Sequence, residues 1–301
     1  MIDALRRDYS FTRLKNIDWT KVADQYRSQA DDADSPAAFI DVVRPMLAQL
    51  RDLHVWTQLG NEPTEPTYRS QVERNADARF VRSQLTSVRS FDKMGFIGVT
   101  RDGIVVLSLE SLPNDESHRA ILQWMEDYRD APAFMVDLRN NRGGSERTAQ
   151  EIAAFFNEKD QQVYARTLVR DGQPGGGMTE VPPRRLAGRG AEAYRGPVAC
   201  LIGPGCVSSG EGFALMMKSI DHVEVIGKPT RGASGNPKPV YLSNGVRLWF
   251  STWVSLEVDG TPIEGRGVLP DIKVEHQGKG DPTFTQAIKR LRERVRERKP
   301  R

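Results

Sequence analysis

The chain has 301 residues, 38% hydrophobic and 28% charged, an ordinary globular composition with room for one large α/β core and a small accessory unit. A formal charge of +3, from 43 basic against 40 acidic side chains with no basic block interleaved with aromatics, makes nucleic acid an unexpected partner. No stretch approaches the roughly 18 apolar residues of a membrane span, and the opening MIDALRRDYSF lacks the apolar segment of a signal peptide. The expectation is a cytoplasmic protein, or one whose leader has been removed.

The first fifty residues carry helical signals. In SPAAFIDVVRPMLAQLRDL, Ser35 is the expected N-cap and Pro36 the first helical residue. Phe39, Val42, Val43, Met46, Leu47 and Leu50 then recur on one face, so residues 1–60 are expected to form a helical unit that packs on something else. His54 opens HVWTQL, an alternating, strand-like segment. Prolines and polar residues from 60 to 75 read as loop, and 61–94 as linker.

From residue 95 to the end the texture is α/β. GIVVLSLESL, AFMVDLR, GPVACLIG, HVEVIG, VRLWFSTWVSLEV and DIKVEH suit strands, the first three buried. SERTAQEIAAFF, capped by Ser145, and EGFALMMKSI suit helices, and Asp259-Gly260 signals a hairpin turn. The Gly/Pro-rich stretch 170–196 reads as a mobile flap gating a crevice, and the tail RLRERVRERKPR as a solvated helix face. Cys200 and Cys206, the only cysteines, lie too close for a disulfide framework and have no His partners at zinc spacing, so no metal and no cofactor are expected.

Three glycine-rich turns share one architecture. DLRNNRGGSERTA and GPGCVSSGEG each run from strand through turn to helix, and GKPTRGASG follows the next strand. In a parallel sheet such turns collect where the strands end, and amides at helix starts there are unpaired donors. They suit an oxyanion, for which losing one donor costs about 3 kcal/mol. The serines at 208 and 209 are either caps for the helix that follows or hold a nucleophile, with Cys206 as a lesser rival. A hydroxyl needs a base. His118 and His276 stand in charged, surface-like contexts and His222 ends a helix, whereas His54 is carried by an element that packing should fix. Glu211 is expected to serve its helix dipole, Arg139 to anchor a strand-end turn and Asp271 to hold its own turn.

FMVDLRNNRGGSERTAQEIAAFF, GPGCVSSGEGFALMMK, VIGKPTRGASG and IEGRGVLPDIKVE stand in the order seen in the C-terminal processing (tail-specific) serine peptidases, which the chain resembles over nearly its whole length. Its first fifty residues resemble the helical unit of the tricorn-type branch. The resemblance implies a crotonase-like α/β spiral core with an N-terminal helical bundle, and a periplasmic site if a leader was removed. It implies Ser208 as nucleophile, with oxyanion donors from Ser209 and the Gly143-Gly144 turn. The tail-specific enzymes use a lysine in G-x-x-T-x-G-K, where this chain has Ala233; the tricorn-type branch uses a histidine and a glutamate, matching His54 and Glu264. The chain departs from that branch in having Leu53 and Val55, not a serine, beside the histidine, and the roughly forty residues from His54 to Phe96 are too few for a PDZ domain. The implied activity is endopeptidase action on extended or unfolded peptide, with no cofactor. Retinoid-binding relatives on the same fold make a non-catalytic binding protein the alternative.

Overall fold

The computed structural model describes residues 1–92, 94–173, 176–275 and 280–298; His276 lies outside them. Helices α1 (Ile2–Asp8), α2 (Trp19–Asp31) and α3 (Pro36–Ala48) come first. Ser35 caps α3, its Oγ accepting from the Ala38 amide at 3.2 Å, and Asp18 caps α2 through two amides. Their apolar faces do not pack on one another alone. Leu5, Tyr9, Phe11, Trp19, Val43, Met46 and Leu47 share one core with Leu248 and Phe250 of a sheet that forms two hundred residues later.

That sheet is antiparallel, in the order β11 (Pro237–Tyr241), β12 (Val246–Ser251), β1 (Trp56–Leu59), β2 (Glu65–Pro66). The short β2 lies within the stretch expected to be loop. The register sets Trp56 opposite Trp249 and so ties the His54 segment to the C-terminal half of the chain.

The central sheet has seven strands, in the order β14 (Ile272–Lys273), β10 (Val223–Gly227), β9 (Val198–Ile202), β6 (Phe134–Asp137), β5 (Val105–Leu109), β4 (Gly95–Thr100), β3 (Leu85–Ser90). It is mixed: β14 to β5 run parallel, while β4 and β3 are antiparallel. Its middle strands are apolar on both faces, because alternate side chains enter different cores. Val198, Cys200 and Ile202 face the core formed with α5 (His118–Asp127), α6 (Glu146–Ala154) and α7 (Ser209–Lys218). Ala199 and Leu201 face the opposite core, with Val81 of α4 (Ala78–Ser83) and Phe284 and Leu291 of α8 (Pro282–Arg298). The register aligns β10, β9 and β6 so that all three end at one edge.

Two sequence expectations need correction. VRLWFSTWVSLEV is not one strand: it leaves one sheet at Ser251 and enters another as β13 (Trp253–Leu256), beside β7 (Gln162–Arg170). The break is fixed from outside, since the Thr252 and Trp253 amides both donate to the Gly235 carbonyl. The stretch 170–196, two residues of which lie outside the described set, is not loop throughout, because β8 (Met178–Leu186) pairs antiparallel with β7. Pro182 and Pro183 are tolerated because β8 is an edge strand whose register shifts beside them.

Arg139 anchors the strand-end turn as expected, and more widely than its own turn. It is 1% exposed, pairs with Asp137 at 2.7 Å and Asp281 at 2.6 Å, and donates to the Asn75 carbonyl at 2.7 Å. One guanidinium thus joins the end of β6, the 75–77 segment and the start of α8. Asp281→Ala should destabilise the protein by about 3 kcal/mol, since it leaves a buried cation short of one partner. Denaturant unfolding checks this, and a loss within the roughly 0.5 kcal/mol of a surface substitution would contradict it.

Candidate active site

The three glycine-rich turns follow β6, β9 and β10 and touch one another. The Val207 amide donates to the Asn141 carbonyl at 2.9 Å, and the Arg231 amide to the Cys206 carbonyl at 2.8 Å. Ser208 sits at the helix end of the middle turn with φ 60° and ψ −130°. That backbone is rarely adopted by a residue with a Cβ and costs about 1–3 kcal/mol. It is held by the Ser208 amide donating to the Ala233 carbonyl at 2.9 Å, and by Gly143 packed against it. A Cβ on Gly143, whose φ is +84°, would lie 2.8 Å from Ser208 Cβ.

The capping explanation fails for Ser208, whose side chain makes no cap hydrogen bond. Ser209 does not cap either: its Oγ donates to the Gly144 carbonyl at 2.7 Å. Cys206 is excluded as a rival nucleophile. It is fully buried, and burial pushes its thiol well above the ordinary value.

Of the three expected oxyanion amides, Gly143 N–H is already engaged, donating to Asn141 Oδ1 at 2.8 Å. Gly144 N–H and Ser209 N–H donate no hydrogen bond among the described residues. The glycine at 143 therefore supplies space beside the serine, and the free amides are at 144 and 209. Asn141, unremarked in the sequence, makes that division.

Glu211 does more than face a helix dipole. It is fully buried, with Oε1 accepting from Thr230 Oγ1 and Gly232 N–H, both at 2.6 Å, and Oε2 from Ala233 N–H at 2.8 Å. It fastens the third turn, and with it the carbonyl that holds Ser208. Burial raises its pKa to about 7 against those stabilising bonds. Asp271 likewise reaches beyond its own turn, accepting from the Val225 amide of β10 at 2.8 Å.

His54 lies between α3 and β1 and is 4% exposed. Its amide donates to Asp52 Oδ1 at 2.8 Å, an Asx turn that fixes the backbone, and its ring packs 5.8 Å from that of Trp56. Nδ1 is buried without a hydrogen-bond partner and stands 4.0 Å from Asp52 Oδ1. Burial lowers the ring's pKa below 6.5, opposed by the Asp52 charge and aided by Lys15. The imidazole is neutral at neutral pH, as a general base requires.

Glu264 follows β13 on a loop tied to the third turn, since the Gly265 amide donates to the Gly232 carbonyl at 2.7 Å. Its side chain is buried, with Oε1 on Lys15 Nζ at 2.8 Å and Oε2 without a partner. Burial, then the neighbouring Asp52 charge, raises its pKa to about 8. Lys15 also donates to the Leu50 and Arg51 carbonyls at 3.0 and 3.3 Å, closing the end of α3 just before His54. Among the described residues no hydrogen bond joins His54 to Ser208 or to Glu264. The parts are connected through intermediates: Ser208 to Ala233, Gly235 against Ser251, Ser251 Oγ to Asp52 Oδ2 at 2.8 Å, Asp52 to His54. The sequence reasoning missed Asp52, Lys15 and Ser251. Only Asp52 had a local signal, the Asp-x-His spacing of an Asx turn.

His118, expected at the surface, pairs with Glu151 at 2.5 Å and is only 12% exposed; His222 sits in the turn before β10. Among the described residues no group of three or more metal-ligating side chains comes together, and no helix is long and apolar enough to cross a membrane.

Residues 103–274 match the family model Peptidase family S41, and residues 1–48 that of the Tricorn protease C1 domain. The "Probable CtpA-like serine protease" of Staphylococcus aureus is 24% identical over 221 residues, 72% of this chain and 41% of the relative. Its counterpart in Staphylococcus haemolyticus is 28% identical over 142 residues, 47% of this chain and 27% of the relative. The chain thus spans less than half the length of these relatives. A solved structure from Parabacteroides merdae matches with TM-score 0.82 at 22% identity, covering 96% of this chain and 94% of that one. The photosystem II D1 C-terminal processing protease matches at 0.58 and 15%, covering 91% of each chain. The tricorn protease matches at 0.57 and 15%, covering 98% of this chain and 36% of that one. These likenesses establish a shared mixed α/β fold.

Gly143→Ala should abolish reaction at Ser208 while leaving a folded protein, because the added methyl displaces the serine or the Ser209 amide. Circular dichroism together with labelling by an organophosphonate checks this, and full labelling of the variant would contradict it.

Proposed function

The chain belongs to peptidase family S41, and we propose that it is a serine endopeptidase acting on extended or unfolded peptides. The observation that carries this is Ser208 itself: a non-glycine residue held at φ 60° at a helix start, its hydroxyl used for no cap, beside two free amides. Strain of that kind persists where the surroundings over-determine it, and it clusters at functional sites, a held nucleophile among them.

In the proposed reaction Ser208 Oγ attacks the peptide carbonyl carbon and passes its proton to His54. The amides of Gly144 and Ser209 hold the oxyanion, beside the Gly143 turn. His54 then protonates the leaving amine, and water, deprotonated by the same ring, hydrolyses the acyl-enzyme. Glu264 is the third member of the triad, orienting the imidazole. The support for it is a pair of buried orphans in one charged cluster, the unpartnered Nδ1 of His54 and the unpartnered Oε2 of Glu264. The ring and serine close to hydrogen-bond distance when substrate binds. The architecture proposed around this site is a crotonase-like spiral from residue 95 onward and a helical bundle over 1–60, with a segment between them that, beyond a plain linker, adds α4 and the edge strand β3 to the core.

Organophosphonate labelling at Ser208 that requires His54 tests the proposal. No labelling would leave a non-catalytic binding protein. Ser208→Ala and His54→Ala should each lower kcat by about 10⁴-fold or more, and Glu264→Gln by less. Activity of Ser208→Ala equal to the unmodified protein would end the proposal. Because His54 acts neutral and burial holds it below 6.5, the acid limb of kcat/KM should also fall below pH 6.5. A limb centred above that value would contradict the assignment.

A further inference from the structure

We propose that Asp52 is a positioning residue for His54, fixing its backbone and setting a negative charge beside Nδ1 where an imidazolium would form. This rests on the serine–histidine chemistry proposed above. The carboxylate is wholly buried and bound at both ends. Oδ1 accepts from the His54 amide at 2.8 Å and Oδ2 from Ser251 Oγ at 2.8 Å. Ser251 is itself held by the break between β12 and β13, where its carbonyl accepts from the Ser10 amide and Gly235 packs on its hydroxyl.

Asp52 stands beside the ring. Its Oδ1 is 4.0 Å from Nδ1, whereas Glu264 has Oε1 on Lys15. A buried ring N–H left unpaired costs about 1–3 kcal/mol, so turning the side chains to close a gap of roughly 1 Å is favourable. The charged groups facing the ring are Asp52 and Lys15; the titratable groups facing Asp52 are Glu264 and the buried, neutral Tyr9 hydroxyl. Lys15 opposes protonation of His54 and Asp52 favours it, so removing the Asp52 charge leaves the cation unopposed beside the ring.

Asp52→Asn keeps the Oδ1 acceptor for the His54 amide, removes the charge, and replaces Oδ2 with an NH2 from which Ser251 Oγ can only accept. Its effect is read first in the Ser208→Ala background, where NMR titration of the His54 ring needs no turnover. The midpoint should fall by about one pH unit or more, a tenfold weaker hold on the proton. In the otherwise unmodified protein, kcat should fall about 10²–10⁴-fold with KM changed less than twofold. Ser251→Ala, which keeps the charge but frees Oδ2, should lower kcat while leaving the midpoint in place; it also serves if Asp52→Asn does not fold. An unmoved His54 midpoint in Asp52→Asn, or equal losses in kcat and KM, would overturn the proposal. So would a Ser251→Ala protein with unchanged kcat. If the unmodified protein neither labels nor cleaves peptide, the peptidase reading fails, and the NMR midpoint still reports on Asp52 alone.

Discussion

The buried carboxylate of Glu211 is the fastening on which the arrangement depends. It stands in the first turn of α7 and takes hydrogen bonds from Thr230, Gly232 and Ala233, so the helix that follows Ser208 carries the neighbouring turn with it. Ala233 then accepts from the Ser208 amide, and Gly232 accepts from the amide after Glu264. One side chain therefore sets the serine's backbone and the position of the Glu264 loop together. Its protonation equilibrium has a cost for stability. Folding raises this pKa from 4.5 to about 7, so the folded state holds the proton more tightly, and stability declines as pH rises through that window and levels above it.

Much of the fold was legible because it is written locally. Ser35 and Ser145 cap the helices they were expected to cap, and the runs around Val136 and Leu201 are buried strands. The meeting of three turns at one edge followed from parallel order alone. What escaped depends on partners far away in sequence. The break at Thr252 is made by the carbonyl of Gly235, and β8 exists because β7 offers an edge that two prolines do not disturb.

The site divides in the same way. Ser208 could be singled out because a hydroxyl pair between small residues precedes an apolar helix. That the Gly143 amide is taken by Asn141, leaving Gly144 free, was not readable, since it turns on one side chain's direction. Lys15, Asp52 and Glu264 are separated by up to 249 positions, and no short-range pattern announces a buried lysine–carboxylate pair beside a second buried carboxylate.

The most direct measurement of the central claim is a crystal structure of the phosphonylated protein. Phosphorus should be bonded to Ser208 Oγ, with the phosphoryl oxygen roughly 2.7–3.1 Å from the amides of both Gly144 and Ser209 and the His54 ring turned to the adduct. Phosphorus on another residue, or a phosphoryl oxygen facing away from both amides, would contradict it.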